Sequence, residues 1–526
     1  MDPCGMQRYG RDEKIPKSGA VGGQRAAAPR AARSVDGPLP SAYGPGPVVR
    51  TLISLVATAL LVSSCLTSKP TGIYGNSYSA TWVSTEGNAL GSTIEVVIPH
   101  EKYMLSNGLQ VILSENHRVP LVTLNVLYAV GSKDDPPART GLAHLVEHAL
   151  FDGSPHVGAG MFHRHLERAR ATEINGATGP DSTEYWETLP AGQLALGLWL
   201  ESERMAFSLA GFDDKRLDVH RRIVENEWRE NEENVPYGLV EAFVRQALYA
   251  PSHPYRHLPR GNADDLDRVS SEDVRQFVAK HYLPNHATLV ISGDFAIDPA
   301  KQLVQKYFGD IPPGPDALAP PPWASRSSVQ DASRRLRIEA DVDTPLLVMT
   351  WPTPPFGTQA DADLDVIAAM LNQYQMKEKL LGDKPIARAA RARQSSARLG
   401  SEFQIRALPK QGVTLDQLAT SIDQILADLP NTTKSWLARY VSWELEQSLY
   451  FSVEAGARRA SQLNFYNLAT GNPGYIQDDV ARYDSATDAN LRKTAREYLA
   501  PNLRLVAEVV PTPGAPVGGR ISKGGR

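Results

Sequence analysis

Two parts of this chain are written to one plan. Arg118-Val-Pro-Leu-Val-Thr-Leu-Asn-Val126 alternates in the manner of a strand, enters a Gly/Asp/Pro loop and is followed by a helical segment containing HLVEH. Asp343-Thr-Pro-Leu-Leu-Val-Met-Thr-Trp351 leads through a Pro/Gly loop into the helix ADLDVIAAML. Near the end of each part, HYLPNHATLVISGD (281–294) is echoed by EYLAPNLRLVAEVV (497–510): an aromatic helix end, a Pro-Asn turn and an apolar strand. Order and spacing recurring together imply duplication of an α+β unit of roughly 200 residues. The expected fold class is α+β, with two tandem homologous α/β-sandwich domains, each a sheet covered by helices. The first spans 94–311 and the second 335–511, separated by a Pro-rich linker (312–334) whose composition fits neither a helix nor an inner strand. Residues 512–526 read as a disordered tail.

The two copies differ in one place that carries chemistry. In the first, His144 and His148 stand four apart, so on a helix both imidazoles reach one side. Glu147, three residues from His144 and adjacent to His148, lies beside any ion they share, near enough to handle a water. This is HxxEH, the inverted form of a zinc-peptidase motif. The second copy has Asp365-Val-Ile-Ala-Ala-Met370 there, a packing helix without metal ligands. A catalytic zinc takes three protein ligands. The helix RLDVHRRIVENEWRENEE (216–233) offers several carboxylates. Val219, Ile223 and Trp228 give it a core face, and Glu227, one turn after Ile223, points inward, whereas Glu225 and Glu230 sit at other angles. Spacing alone does not choose among them. In the charged run 225–233, Glu227 is the one member expected inside.

The formal net charge of −4, with no dense basic block, excludes a nucleic-acid partner. The two cysteines, Cys4 and Cys65, lie upstream of the folded region and provide neither a disulfide framework nor a thiolate metal site. TLISLVATALLVSSC (51–65) is a short apolar core ending in small residues, too short for a convincing membrane span, and reads as a signal peptide. Val62-Ser63-Ser64-Cys65 resembles the bacterial lipobox, which marks Cys65 for lipidation as the mature N-terminus. Leu66, rather than Asp, after that cysteine favours sorting to the outer membrane, facing the periplasm. The reading places a leader and signal at 1–64, with the translation start nearer Val48, and a flexible tether at 65–93.

Further stretches carry a family resemblance: LSNGLQVIL (105–113), VGSKDDPPARTGLAHLVEHALFDGS (130–154), NGATGPDSTEYWETLP (175–190), LWLESERM (198–205), VENEWRENEENVPYG (224–238) and HPYRHLPRGNADDL (253–266). With HLVEH, they make the chain resemble the pitrilysin/insulinase family of zinc peptidases, in particular the two-domain proteins related to mitochondrial processing peptidase. The resemblance covers essentially all of residues 100–511. It implies one zinc per chain, held by His144, His148 and the Glu of a VxxE context, Glu227, 79 residues beyond His148. It also implies Glu147 as general base, and substrate added as a strand along Asn175, Gly176, Ala177 and Thr178. Pro180 is expected to keep that pairing stretch short.

Two departures stand out. His220 occupies the place of a second Glu, seven residues before the ligand, and is assigned to orienting a ligand from behind. The family's Arg and Tyr, seven apart in a second-half helix, correspond to Leu381 and Arg388, so the substrate-binding pair is missing. The expected protein is a lipid-anchored zinc endopeptidase acting on peptides or unfolded segments within a chamber formed by two-domain bowls. A paralogous subunit supplies the Arg/Tyr pair, or the chain forms a homodimer. The alternative is a non-catalytic scaffold or chaperone-like subunit of the same fold.

Overall fold

The computed structural model describes residues 97–207, 209, 211–315, 334–432, 435–454 and 456–522. The leader, Cys65, the tether and most of the Pro-rich linker lie outside the described residues. Among those described, no helix is long and apolar enough to cross a membrane.

The duplication is visible as two six-stranded sheets. In the first, β1 (Glu101–Met104), β2 (Gln110–Glu115), β3 (Leu121–Tyr128), β4 (Thr172–Thr178), β5 (Thr183–Pro190) and β6 (Ala287–Gly293) lie in the order β1-β2-β6-β3-β5-β4. In the second, β7 (Arg335–Ala340), β8 (Leu346–Thr353), β9 (Ala387–Ser395), β10 (Ser401–Pro409), β11 (Leu505–Pro511) and β12 (Arg520–Ile521) are ordered β12-β7-β11-β8-β10-β9. β2 runs parallel to β6 and β7 parallel to β11, and the remaining pairs are antiparallel. The sheets therefore match strand for strand. Only the outermost strand differs in origin: β1 precedes its sheet in sequence, whereas β12 comes from the chain's C-terminal end. Gly108, at φ 87°, makes the expected β1–β2 turn, and a Cβ there would come within 2.6 Å of the Asn285 side chain.

Central strands are buried on both faces, because helices cover both. Along β8, Leu347, Met349 and Trp351 join the core under the second unit's own helices, and Leu346 and Val348 face the other way. That second face is covered by Val240–Leu248, a helix of the first unit, through Val240, Val244 and Leu248. The first sheet is treated reciprocally. Ile112 and Val290 pack against Ala460, Leu463 and Tyr466 of the second-unit helix Gly456–Thr470. Asn464 Nδ2 donates to Asn125 O (3.1 Å), and Asn467 Nδ2 donates to Thr288 Oγ1 (3.0 Å), so buried polar positions are answered across the exchange. Each unit thus completes its neighbour, and both sheets belong to one contact unit, Ser84–Arg526.

Residues 512–522, expected as a disordered tail, are part of the fold. Ile521 pairs with Ile338 and Arg520 with Glu339, extending the second sheet. The exposed edge of β7 needed a partner for its backbone groups, and the chain's own end supplies one.

Candidate metal centre

HLVEH lies on the helix Leu142–Ala149, beneath the first sheet, with Leu142, Leu145, Val146 and Ala149 buried in its core. The helix start has no side-chain cap of its own, since its N-cap is Gly141 at φ 93°. Asp135 serves instead from six residues upstream. Its Oδ2 accepts from Gly141 N (2.8 Å) and its Oδ1 from Ala143 N (2.8 Å), with His257 Nε2 at 3.2 Å from Oδ2. Burial raises the Asp135 pKa, and the His257 and amide bonds pull against that rise.

The helix Asp214–Trp228 carries Glu227, the candidate third ligand. Its buried face is Leu217, His220 and Val224, and Glu227 continues that row. Val219 and Ile223 are 52% and 40% exposed, so the expected core face was the wrong one, although its conclusion for Glu227 stands. Immediately beyond, Arg229–Glu233 forms a π-helical turn, and Asn231 Nδ2 donates to Glu227 O (2.8 Å). Glu225 pairs with Arg229 (3.4 Å). Glu232, assigned to a solvated face, is buried beside Arg260 (3.4 Å).

Three electron-rich atoms converge. His144 Nε2 and His148 Nε2 are 3.3 Å apart, and Glu227 Oε2 is 3.6 Å from the first and 3.5 Å from the second. Zinc bonds of about 2.0–2.1 Å in a tetrahedron place donor atoms roughly 3.3–3.4 Å apart. The three donors fit that requirement, and His144, His148 and Glu227 would hold such an ion. Burial and His148 push the His144 pKa down to about 3, against the pull of Glu227. Burial also opposes protonation of His148, but its hydrogen bond with Glu227 and that group's charge prevail and raise its pKa. The same bond lowers the pKa of Glu227.

Glu147 belongs to the cluster without duplicating Glu227. With His144 and His148 it forms a group whose candidate ligand atoms lie within 4.8 Å, yet among the described residues it makes no ion pair with either ring. Its Oε2 accepts from Thr178 Oγ1 at 2.7 Å. Burial raises its pKa, and the Thr178 hydrogen bond works in the opposite direction. Glu147, held by Thr178, is thus distinct from Glu227, the carboxylate that faces both histidines.

Thr178 ends β4, the outermost strand of the first sheet. Asn175, Gly176, Ala177 and Thr178 pair in register with Trp186, Tyr185, Glu184 and Thr183 of β5, and the register breaks between Thr172 and Asn175. Glu173, at φ 53°, sits in that irregularity. A Cβ on Gly176 would come within 3.1 Å of Glu147 Oε1 and of Phe151, so glycine lets the strand lie close to the carboxylate. Asn175 Oδ1 accepts from Gly176 N (2.9 Å).

His220 is buried on the Glu227 face, but its Nε2 turns to Asp152 Oδ2 (3.9 Å) rather than to a ligand. Burial lowers its pKa, offset by Asp152. Leu381 and Arg388 do not share a helix. Leu381 follows the short helix Met376–Lys379, and Arg388 is on β9, its guanidinium on Thr344 Oγ1 (3.0 Å).

Comparison with known proteins agrees with this geometry. Residues 110–258 match the family described as Insulinase (Peptidase family M16), and residues 268–442 match the Peptidase M16 inactive domain, together more than half of the chain. The chain belongs to the insulinase family. Among curated relatives, the zinc protease PqqE of Helicobacter pylori is 27% identical over 296 residues, 55% of this chain and 66% of that protein. The probable zinc protease PqqL of Escherichia coli is 23% identical over 394 residues, 68% of this chain and 41% of that protein. The matched stretches thus span less than two thirds of these relatives' lengths. Insulinase-family folds recur among solved structures. A protease from Helicobacter pylori superposes with a TM-score of 0.73 at 21% identity, covering 79% of this chain and 100% of that one. The periplasmic protease PqqL of Escherichia coli gives 0.66 at 18% identity, covering 79% and 48%. The inactive-domain match falls largely on the unit without HxxEH, as expected if the two copies share a fold and only one carries metal ligands.

Proposed function

We propose that this insulinase-family chain is a zinc-dependent endopeptidase, and the convergence of His144, His148 and Glu227 within 3.3–3.6 Å carries that reading. When bound, zinc supplies Lewis acidity and lowers the pKa of water to about 7. The chain's own residues do the rest. An extended peptide adds to the free edge of β4 along Asn175–Thr178, where backbone is read more than side chains. Glu147, held by Thr178, takes a proton from the water that attacks the peptide carbonyl. It then passes that proton to the amide nitrogen as the C–N bond breaks, leaving a carboxylate and an amine. The names of the Helicobacter pylori and Escherichia coli relatives support a zinc protease.

The test is metal analysis with peptide cleavage. Wild type should hold one zinc per chain; His148→Ala should lose the metal and the cleavage, and Glu147→Gln should keep the metal and lose the cleavage. A Glu147→Gln protein that cleaves as well as wild type sinks the mechanism. The positions of Leu381 and Arg388 favour a partner, a paralogue or a second copy, that supplies the Arg/Tyr pair. Fully active preparations containing a single monomeric polypeptide would reject it. His220 and the missing pair also favour a second reading, a non-catalytic scaffold subunit, which predicts metal binding without cleavage by any assembly. The apolar run 51–65 ending in Val62-Ser63-Ser64-Cys65 supports an envelope location and a lipid anchor at Cys65. Absence of labelled acyl chains from wild type, as from Cys65→Ser, would refute the anchor.

A further inference from the structure

Glu227 is the ligand contributed from outside the HLVEH helix, and among the described residues its carboxylate forms ion pairs only with the two imidazoles. Its backbone is held from outside the helix as well. The π-helical turn Arg229–Glu233 begins two residues later, and it is gripped by residues near the C-terminal end of the second sheet. Gly518 N donates to Glu233 O (3.0 Å), Leu239 N donates to Gly518 O (3.0 Å), and Tyr237 N donates to Val517 O (3.3 Å). The approach is tight. A Cβ on Gly518 would come within 2.6 Å of Glu232 O and 2.9 Å of Glu233 O. The other parts of this segment are locked to the second sheet, through Thr512 N to Ala340 O (2.8 Å), the β12–β7 pairing and the Arg520–Glu339 pair (2.9 Å). A second stitch runs alongside, with Tyr237 Oη donating to Thr344 O (2.6 Å).

We propose that this C-terminal strap positions Glu227, so that the unit without metal ligands helps set how tightly the other unit holds its ion. The proposal rests on the zinc reading above. A metal site tolerates ligand distances only within about 0.2 Å. A π turn two residues beyond the ligand that shifts by the width of a methyl group therefore strains the fit of the carboxylate to an ion held by the two rings. Gly518 is the positioning residue because its missing side chain is what allows strap and turn to touch.

The test measures zinc affinity of the full chain by competition with a chromogenic chelator, for wild type, Gly518→Ala and Gly518→Val. Circular dichroism and thermal unfolding of the metal-free forms run in parallel. Zinc should bind both variants more weakly, Gly518→Val by roughly 10- to 100-fold, with stoichiometry still one. By reciprocity, loading wild type with zinc should slow deuterium uptake in residues 512–522. Affinities within twofold of wild type in both variants overturn the proposal, even if their metal-free melting temperatures fall, because a merely structural strap would behave that way. Uptake in 512–522 indifferent to zinc overturns it too. Should Gly518→Val fail to fold, the Gly518→Ala affinity and the wild-type exchange decide. Failure of the zinc reading looks different: wild type binds no zinc, and His148→Ala is indistinguishable from it.

Discussion

At the scale of the residue, two carboxylates on neighbouring helices have different partners. Glu227 faces two imidazoles, and Glu147 is bound by the Thr178 hydroxyl at 2.7 Å. A hydrogen bond to a charged group contributes about 1.5–3 kcal/mol. Thr178→Val should therefore lower kcat by about tenfold or more and leave zinc content at one per chain, as measured by steady-state cleavage and metal analysis. Lost zinc would show instead that Thr178 supports the ligand set. The histidines and Glu147 are legible in sequence because four-residue spacing on a helix is local geometry. Asp135 is not. A capping residue ordinarily stands at the helix start, but here that place is Gly141 and the acceptor returns from across a loop.

At the scale of the element, the Glu227 helix shows how a pattern can mislead. Val219 and Ile223, four apart, look like a core stripe, yet the buried row is Leu217, His220 and Val224, leading to Glu227. His220 and Glu227 in that row are polar because it runs into the His144/His148 cluster, so hydrophobicity alone pointed at the other face. The rotation is testable by thermal unfolding. Val224→Ala should cost about 1–3 kcal/mol, in line with the burial of a valine side chain. Ile223→Gln should fall within about 0.5 kcal/mol of wild type, as exposed substitutions do. The reverse ranking would reinstate the expected face. Strands fared better: β3 and β8 were recognisable from alternation, and their faces divide residue by residue between two cores.

At the scale of the whole molecule, exchanged helices and the C-terminal strap make the two units depend on each other, and buried titratable groups make that body sensitive to pH. Burial, with Asp361 nearby, pushes the Asp365 pKa up to about 8 despite the Tyr483 hydroxyl at 3.0 Å. Between its ordinary value of 3.8 and about 8 the folded state binds the extra proton, so this group withdraws stability as pH rises through that window. His281 acts at the other end. Burial lowers its pKa from 6.5 to about 4, so the unfolded state binds more protons there and stability falls as pH drops from 6.5 towards 4. The two slopes oppose each other between about pH 4 and 6.5, so their joint effect is a fall in melting temperature from pH 6.5 to about 8, and Asp365→Asn should gain on wild type progressively from pH 5 to about 8 and level off above it. A constant difference across that range would show that Asp365 is not the titrating group.

The sequence by itself determined the duplication, which copy carries the HxxEH motif and the HLVEH pair, because these are written in period, order and spacing along short stretches of chain. Which face of the Glu227 helix is buried, which acid caps the HLVEH helix, which unit covers which sheet and where the last residues dock were decided by tertiary structure. Those outcomes depend on what lies opposite each surface after folding, and residues hundreds of positions apart in the chain supply it.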